Sequence, residues 1–435
     1  MQVKEEEIQQ QKYSAYKNSG VEWLGEIPEH WELKRFKHIF KEKKITNNVD
    51  LNCGSISFGK VVYKDDEKVP VSTKKSYQVL NEGEFLVNPL NLNYDLISLR
   101  IALSDKDVVV SSGYIIVQNV TELSKNYYKW LLHIFDVAFM KTLGSGVRQT
   151  LSFNHIANSE LVFPLLKEQT AIAQFLDDKT TKIEDAIAIK EQQINLLKER
   201  KKILIHNAVT RGLNPNVKLK DSGVEWIGEI PEHWEVKALK YFCFITKLTG
   251  FEYTNVWKTD AEGEIIALRG FNIQVGESDL SETEAISEKL SNSLLRTKLN
   301  KNDIVYPCTG TIGNAALIKE DNKFHINQNI ARICPQSKEM FPEYFLKSLL
   351  SYATKSQIDF NNSSQMQPVI LIGSLRNIKI SFPLLSEQKK ISEYIETTSQ
   401  KIESAIGLKQ QEISTLKEYK GSLINSVVTG KVRVC

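Results

Sequence analysis

Side chains suited to reading DNA base edges gather in two short polar loops, Ser145-Gly-Val-Arg-Gln-Thr150 and Asn362-Ser-Ser-Gln-Met-Gln367. Arginine pairs with guanine, and glutamine or asparagine with adenine, through two hydrogen bonds in the major groove. Arg148 and Gln149 in the first loop, and Gln365 and Gln367 in the second, are therefore candidate base readers. Thr309, Thr311, Asn314, Asn327 and Gln328 are further candidates in the second half of the chain. Any one of these residues alone reads more readily as an exposed loop position. Their weight comes from the two loops holding matched places in a repeated frame while carrying different side chains.

No arrangement of residues suggests an active site. Thr309-Gly-Thr-Ile-Gly313 resembles a phosphate loop but lacks the Gly-Lys-Ser/Thr that cradles a nucleotide, so it reads as a tight turn between strands. The seven histidines (His30, His38, His133, His155, His206, His233 and His325) form neither His-x-His nor His-Glu-x-x-His. Asn88-Pro89-Leu90 lacks the remainder of an amino-methyltransferase motif, and Glu42-Lys43-Lys44 has no Pro-Asp partner to complete a nuclease site. The expectation is a binding protein with no catalytic, cofactor-binding or metal-binding residues of its own. A self-contained nuclease and a coiled-coil scaffold joining two protein-binding globules are the alternatives. Cleavage with magnesium would reveal the first, and failure to bind random duplex DNA at low salt the second.

Composition is compatible with a DNA-binding role without requiring one. The 435 residues, 41% hydrophobic and 25% charged, allow two to four globular domains, and a net charge of +3 is only mildly basic. Five widely spaced cysteines without a Cys-x-x-Cys pair suit free thiols in a reducing cytoplasm. No apolar run reaches 18 residues and the N-terminal stretch is polar, so no membrane span or secretory signal is expected.

The elements that must position the loops occur twice. Ser19–Lys37 (SGVEWLGEIPEHWELKRFK) returns as Ser222–Lys240 with 15 of 19 positions identical. Trp23, Trp31, Trp226 and Trp234 read as anchors packing this frame onto a domain, and His30 and His233 as structural residues. A second motif starts at Phe163 and again at Phe382, with 21 of 43 positions identical. Its apolar residues alternate steps of four and three, which makes a narrow seam on a helix of about 65 Å. Ile183, Ile187, Ile194, Leu197 and Leu204 form the first seam, and Ile402, Ile406, Ile413, Leu416 and Leu423 the second. Lys190, Lys201, Lys409 and Lys420 interrupt the seams, either snorkelling into water or fixing register.

Between frame and helix lie two unlike inserts, 41–162 and 241–381. Both carry strand-like runs, among them DVVVSSGYIIVQ and EIIALRGFNI. Each then has a helical run, Tyr127 to Leu143 and Tyr344 to Gln357. The expected class is α+β: two mixed α/β domains separated by a pair of long antiparallel coiled-coil helices, related by a pseudo-twofold internal repeat. The expected order is a lead-in at 1–16, domain one at 17–164, helix one at 165–211 and a linker at 212–221. Domain two follows at 222–383, and helix two at 384–430.

The doubled Gly-Val-Glu-Trp-(Leu/Ile)-Gly-Glu-Ile-Pro-Glu-His-Trp frame, followed by Phe-Pro-Leu-Leu-x-Glu-Gln and a heptad helix, resembles the specificity (S) subunit of type I restriction-modification systems. Asp303–Gly313 and Ile326–Ala331 are similar to segments of that family's target recognition domains. The resemblance implies a non-catalytic subunit whose two target recognition domains bind an asymmetric, bipartite site on double-stranded DNA. It also implies docking of two modification (methyltransferase) and two restriction (translocase and nuclease) subunits, with S-adenosylmethionine, ATP and magnesium on those partners. Identical readers on a twofold would read a palindrome, so unlike inserts suit an asymmetric site.

Overall fold

The structure is a computed structural model that describes residues 12–90, 99–140, 151–362 and 368–434. The chain divides into two compact units, one running to Lys190 and resuming at Gln411, the other spanning Glu191–Gln410. Four helices organise them: α1 (Lys125–Ala138), α2 (Leu166–Arg211), α3 (Pro342–Leu349) and α4 (Leu385–Val428).

In the first unit, a four-stranded antiparallel sheet runs in the order Phe40–Glu42, Ile115–Asn119, Phe85–Val87, Ile101–Leu103. The run DVVVSSGYIIVQ supplies two strands, because a turn at Ser111–Gly113 separates Val108–Val110 from Ile115–Asn119. Helix α1 begins at Ser124, whose hydroxyl accepts the Tyr127 N–H. It buries Tyr127, Tyr128, Leu131, Leu132 and Phe135, a face at the i, i+3, i+4 spacing of an amphipathic helix. The start of α2 and the end of α4 complete this core, with Ile172, Leu176 and Ile183 packed among the same cluster as Leu423, Ile424 and Val427.

In the second unit, a five-stranded sheet has the order Cys243–Thr246, Ile330–Pro335, Ile304–Pro307, Ala315–Leu317, Val275–Gly276. Beside it, Ile265–Leu268 pairs antiparallel with Glu284–Ile286 and parallel with Phe324–Ile326. Two sequence expectations are corrected here. The run EIIALRGFNI is a strand only to Leu268; the Asn272 side chain then bonds back to the Arg269 N–H and turns the chain. The single helix expected from Tyr344 to Gln357 is two, Pro342–Leu349 and Tyr352–Phe360. Ser351 starts the second by accepting the Thr354 N–H, while Ser348 O accepts both the Ser351 and Thr354 hydroxyls.

The frame segments adopt one design in both units. Tyr16–Asn18 pairs with Glu26–Pro28 as Leu219–Asp221 pairs with Glu229–Pro231. Glu32–Arg35 pairs with Glu160–Phe163, and Glu235–Ala238 with Lys379–Phe382, in the same register. Trp31 and Trp234 are fully buried, as anchors should be. Trp23 and Trp226 are half-buried against Phe135 and Phe360, with ring centroids 5.8 and 5.2 Å apart.

The long helices pack antiparallel within each unit. In the first, Glu184 pairs with Lys420 and Lys190 with Glu412, so progress along α2 is retreat along α4. In the second, Lys201 Nζ lies 2.5 Å from Glu403 Oε1. Lys190, Lys201 and Lys420 thus reach carboxylates on the facing helix while their side chains stay partly exposed. Ile183, Ile194, Ile402 and Leu423 are buried; Ile187, Leu197, Leu204, Ile406, Ile413 and Leu416 are half-buried.

Candidate nucleic-acid interface

Each insert is fastened to its frame by the Glu-Gln pair at the first turn of the long helix. His30 Nε2 lies 3.0 and 3.2 Å from the Glu168 oxygens, and the Trp31 indole donates to the same carboxylate at 3.3 Å. His233 and Trp234 hold Glu387 at 3.1 to 3.3 Å in the second unit. The adjacent glutamines are wholly buried and face the insert. Gln169 donates to Pro164 O at 2.9 Å and accepts the N–H of Ser124, the residue that starts α1. Gln388 donates to Pro383 O and Glu339 O and accepts the N–H of Phe341, which starts α3.

In the second unit this fastening presents a cluster of loops. The turn between the strands Ile304–Pro307 and Ala315–Leu317 is tied on both sides. Thr311 Oγ1 donates to Gly270 O at 3.1 Å, and Asn314 Nδ2 to Ile273 O at 2.8 Å. Gly310 N–H donates to Pro368 O, and Ile370 N–H to Cys308 O, joining the segment that follows 363–367. Asn327 Oδ1 accepts the Gln328 N–H at 2.5 Å, and the Asn327 N–H donates to Leu268 O. These bonds link the loops that carry Thr309, Thr311, Asn314, Asn327 and Gln328 through the segment 268–273. Three of them spend part of their polar capacity bracing loops. The Thr309 hydroxyl and the Gln328 amide make no protein hydrogen bond among the described residues. Arg148, Gln149, Gln365 and Gln367 lie outside the described residues.

Two cationic side chains, Arg269 and Lys247, lie close to the turn. Arg269 is fixed by Glu284 at 2.8 Å and stacks on Phe271, 4.1 Å from the ring centroid. Lys247 has no carboxylate partner among the described residues and sits near Cys308; burial pushes that thiol up to about 11, with the lysine charge pulling weakly the other way. Neither Arg269, Phe271 nor Lys247 stood out in the sequence. The only signal for the first two was a glycine between an arginine and a phenylalanine. Among the described residues no group of three His, Cys, Asp or Glu side chains could hold a metal, and no helix is long and apolar enough to cross a membrane.

The family model described as "Type I restriction modification DNA specificity domain" matches residues 28–199 and again 231–415. The chain belongs to the type I restriction-modification specificity family. Among its relatives, the type I restriction enzyme MjaVIII specificity subunit of Methanocaldococcus jannaschii is 25% identical over 420 residues, covering 94% of each chain. The EcoBI specificity subunit of Escherichia coli is 26% identical over 284 residues, 63% of this chain and 58% of that one. The fold is shared with the HsdS subunit of Thermoanaerobacter tengcongensis, at a TM-score of 0.52 and 12% identity over 93% of this chain and 98% of that one. A chain from a structural study of type I complex assembly and conformational transition superposes more closely, at a TM-score of 0.67 and 13% identity, covering 92% and 98%. As a specificity subunit this protein is non-catalytic, and its task is DNA sequence recognition.

Proposed function

We propose that this specificity subunit reads an asymmetric, bipartite duplex site, with residues 17–164 and 222–383 as target recognition domains for one half-site each. The helices at 165–211 and 384–430 act as an antiparallel coiled-coil spacer on a pseudo-twofold. Two modification and two restriction subunits dock on the repeated parts, in the cytoplasm, and bring S-adenosylmethionine, ATP and magnesium with them. The observation that carries this reading is the identical frame register and Glu-Gln fastening around unlike inserts. Docking in duplicate is supported by Leu165 and Leu384, equivalent leucines left 65% and 66% exposed. An apolar side chain kept exposed at both copies suits a partner present twice.

Exchanging residues 241–381 for the insert of a relative tests the reading, with methylation mapping as the readout. One half-site should change and the other persist; a change in both, or in neither, would end it. Removing seven residues from each long helix shortens the spacer by about 10 Å, about three base pairs. The gap between half-sites should contract while both half-sites persist.

A further inference from the structure

We infer that Phe271 is a specificity-determining contact of the second recognition domain, pressing the edge of its ring against the 5-methyl group of a thymine in the major groove. The inference rests on the DNA-reading role proposed above.

Phe271 is 47% exposed at the centre of the short turn Gly270–Asn272. Single exposed aromatics are ordinary, and Phe251 and Phe360 are more exposed than this one. What distinguishes Phe271 is how firmly it is presented. Buried Asn272 closes the turn by accepting the Arg269 N–H at 3.0 Å and donating to Asp279 O and Glu282 O at 2.9 and 2.8 Å. Thr311 Oγ1 ties Gly270 O to the loop that carries Thr309. The ring is therefore held beside the loops that carry the Thr309 hydroxyl and the Gln328 amide, neither of which makes a protein hydrogen bond among the described residues.

The geometry also selects the kind of contact. The Arg269 guanidinium covers one face of the ring at 4.1 Å and is itself pinned by Glu284. A ring capped on one face cannot slide between two base pairs, which requires both faces. Its edge and free face remain, and the apolar feature of a base edge in the major groove is the thymine methyl. Arg269 is a positioning residue in this arrangement.

The test uses the full chain assembled with its methyltransferase partners and a duplex carrying the site mapped by methylation. Each thymine of the half-site read by residues 241–381 is replaced singly by deoxyuridine, which removes only the methyl group. One replacement should weaken binding by the wild-type assembly about fourfold, the worth of one buried methyl, and leave F271A binding unchanged. F271L, which keeps an apolar side chain, should recover part of that sensitivity. If every replacement affects wild type and F271A alike, or no thymine in the half-site is sensitive, the assignment to Phe271 fails and the DNA-reading role stands. Wild-type binding that does not distinguish the mapped site from a scrambled duplex overturns both.

Discussion

The Gln388 side chain accepts the backbone N–H of Phe341 at 2.8 Å from the first turn of a helix whose sequence lies 47 residues further on. Together with its bonds to Glu339 O and Pro383 O, this satisfies three backbone groups at the junction of insert, strand and helix. Gln388 itself is wholly buried, and Gln388→Ala removes the partner of all three groups and leaves a cavity where the side chain was. A loss of about 2–4 kcal/mol is expected, read as an earlier denaturant transition of the second unit. Glu393→Ala, on the exposed side of the same helix, should change stability little.

Glycines at the ends of the long helices are not equivalent to those within them. Gly430 has φ of 78°, and an added Cβ would lie 2.4 Å from Pro28 Cδ and 2.9 Å from Trp31 Cη2. Gly212 has φ of 74°, and an added Cβ would lie 3.1 Å from Trp234 Cζ2, a contact that a shift of only a few tenths of an ångström relieves. Gly430→Ala should therefore lower the melting temperature more than Gly212→Ala, which carries a left-handed backbone penalty of about 1 kcal/mol. Gly407→Ala, inside α4 with open space around it, should raise stability by about 0.5–1 kcal/mol.

The ion pair of Lys201 with Glu403 predicts a recoverable defect. Lys201→Glu places two carboxylates side by side across the helices and should destabilise the second unit. Adding Glu403→Lys restores opposite charges in reversed order and should recover most of the loss. The coupling is expected to be on the order of 0.5 kcal/mol, because both side chains are partly solvated, and to shrink at high salt. If the lysine merely snorkelled, the second change would recover nothing.

His325 gives the second unit an acid-sensitive core. Burial holds its pKa below 6.5, aided by the nearby Arg332 and Lys298 charges and opposed by its contacts to Ile326 O and Leu294 O. The ring is wholly buried, with Nδ1 2.9 Å from Ile326 O and Nε2 3.2 Å from the Thr297 hydroxyl. Because the folded pKa is depressed, the unfolded chain takes up the proton first. Stability contributed by the neutral ring is present above about pH 6.5 and is lost as pH falls through the folded value. Urea transitions of the second unit at pH 7.5 and pH 5.5 should differ, and His325→Gln, itself less stable at pH 7.5, should narrow that difference.

The sequence made some parts of this molecule legible and hid others for definable reasons. Seam residues such as Ile183 and Leu423 announce themselves through spacing along one helix, and Trp31 and Trp234 through repetition of their surroundings. The work of Gln169 was hidden because its partner, Ser124, lies 45 residues away and is brought near only by folding. The break between Leu349 and Tyr352 was hidden because Tyr344 to Gln357 keeps an apolar rhythm, and only the Ser348 and Ser351 bonds reveal the stop. Within the candidate interface, Thr311 and Asn314 were visible as polar loop residues. That they brace Gly270 and Ile273, and so steady the Phe271 turn, depends on contacts 41 residues apart.

In the paired frame strands, Arg35 faces Glu160 and Ala238 faces Lys379. Each insert consequently leaves and re-enters its socket through neighbouring doorways. A polypeptide of almost any length whose own ends fold to that separation can lodge there without disturbing the chassis. The insert can vary while the mounting stays the same.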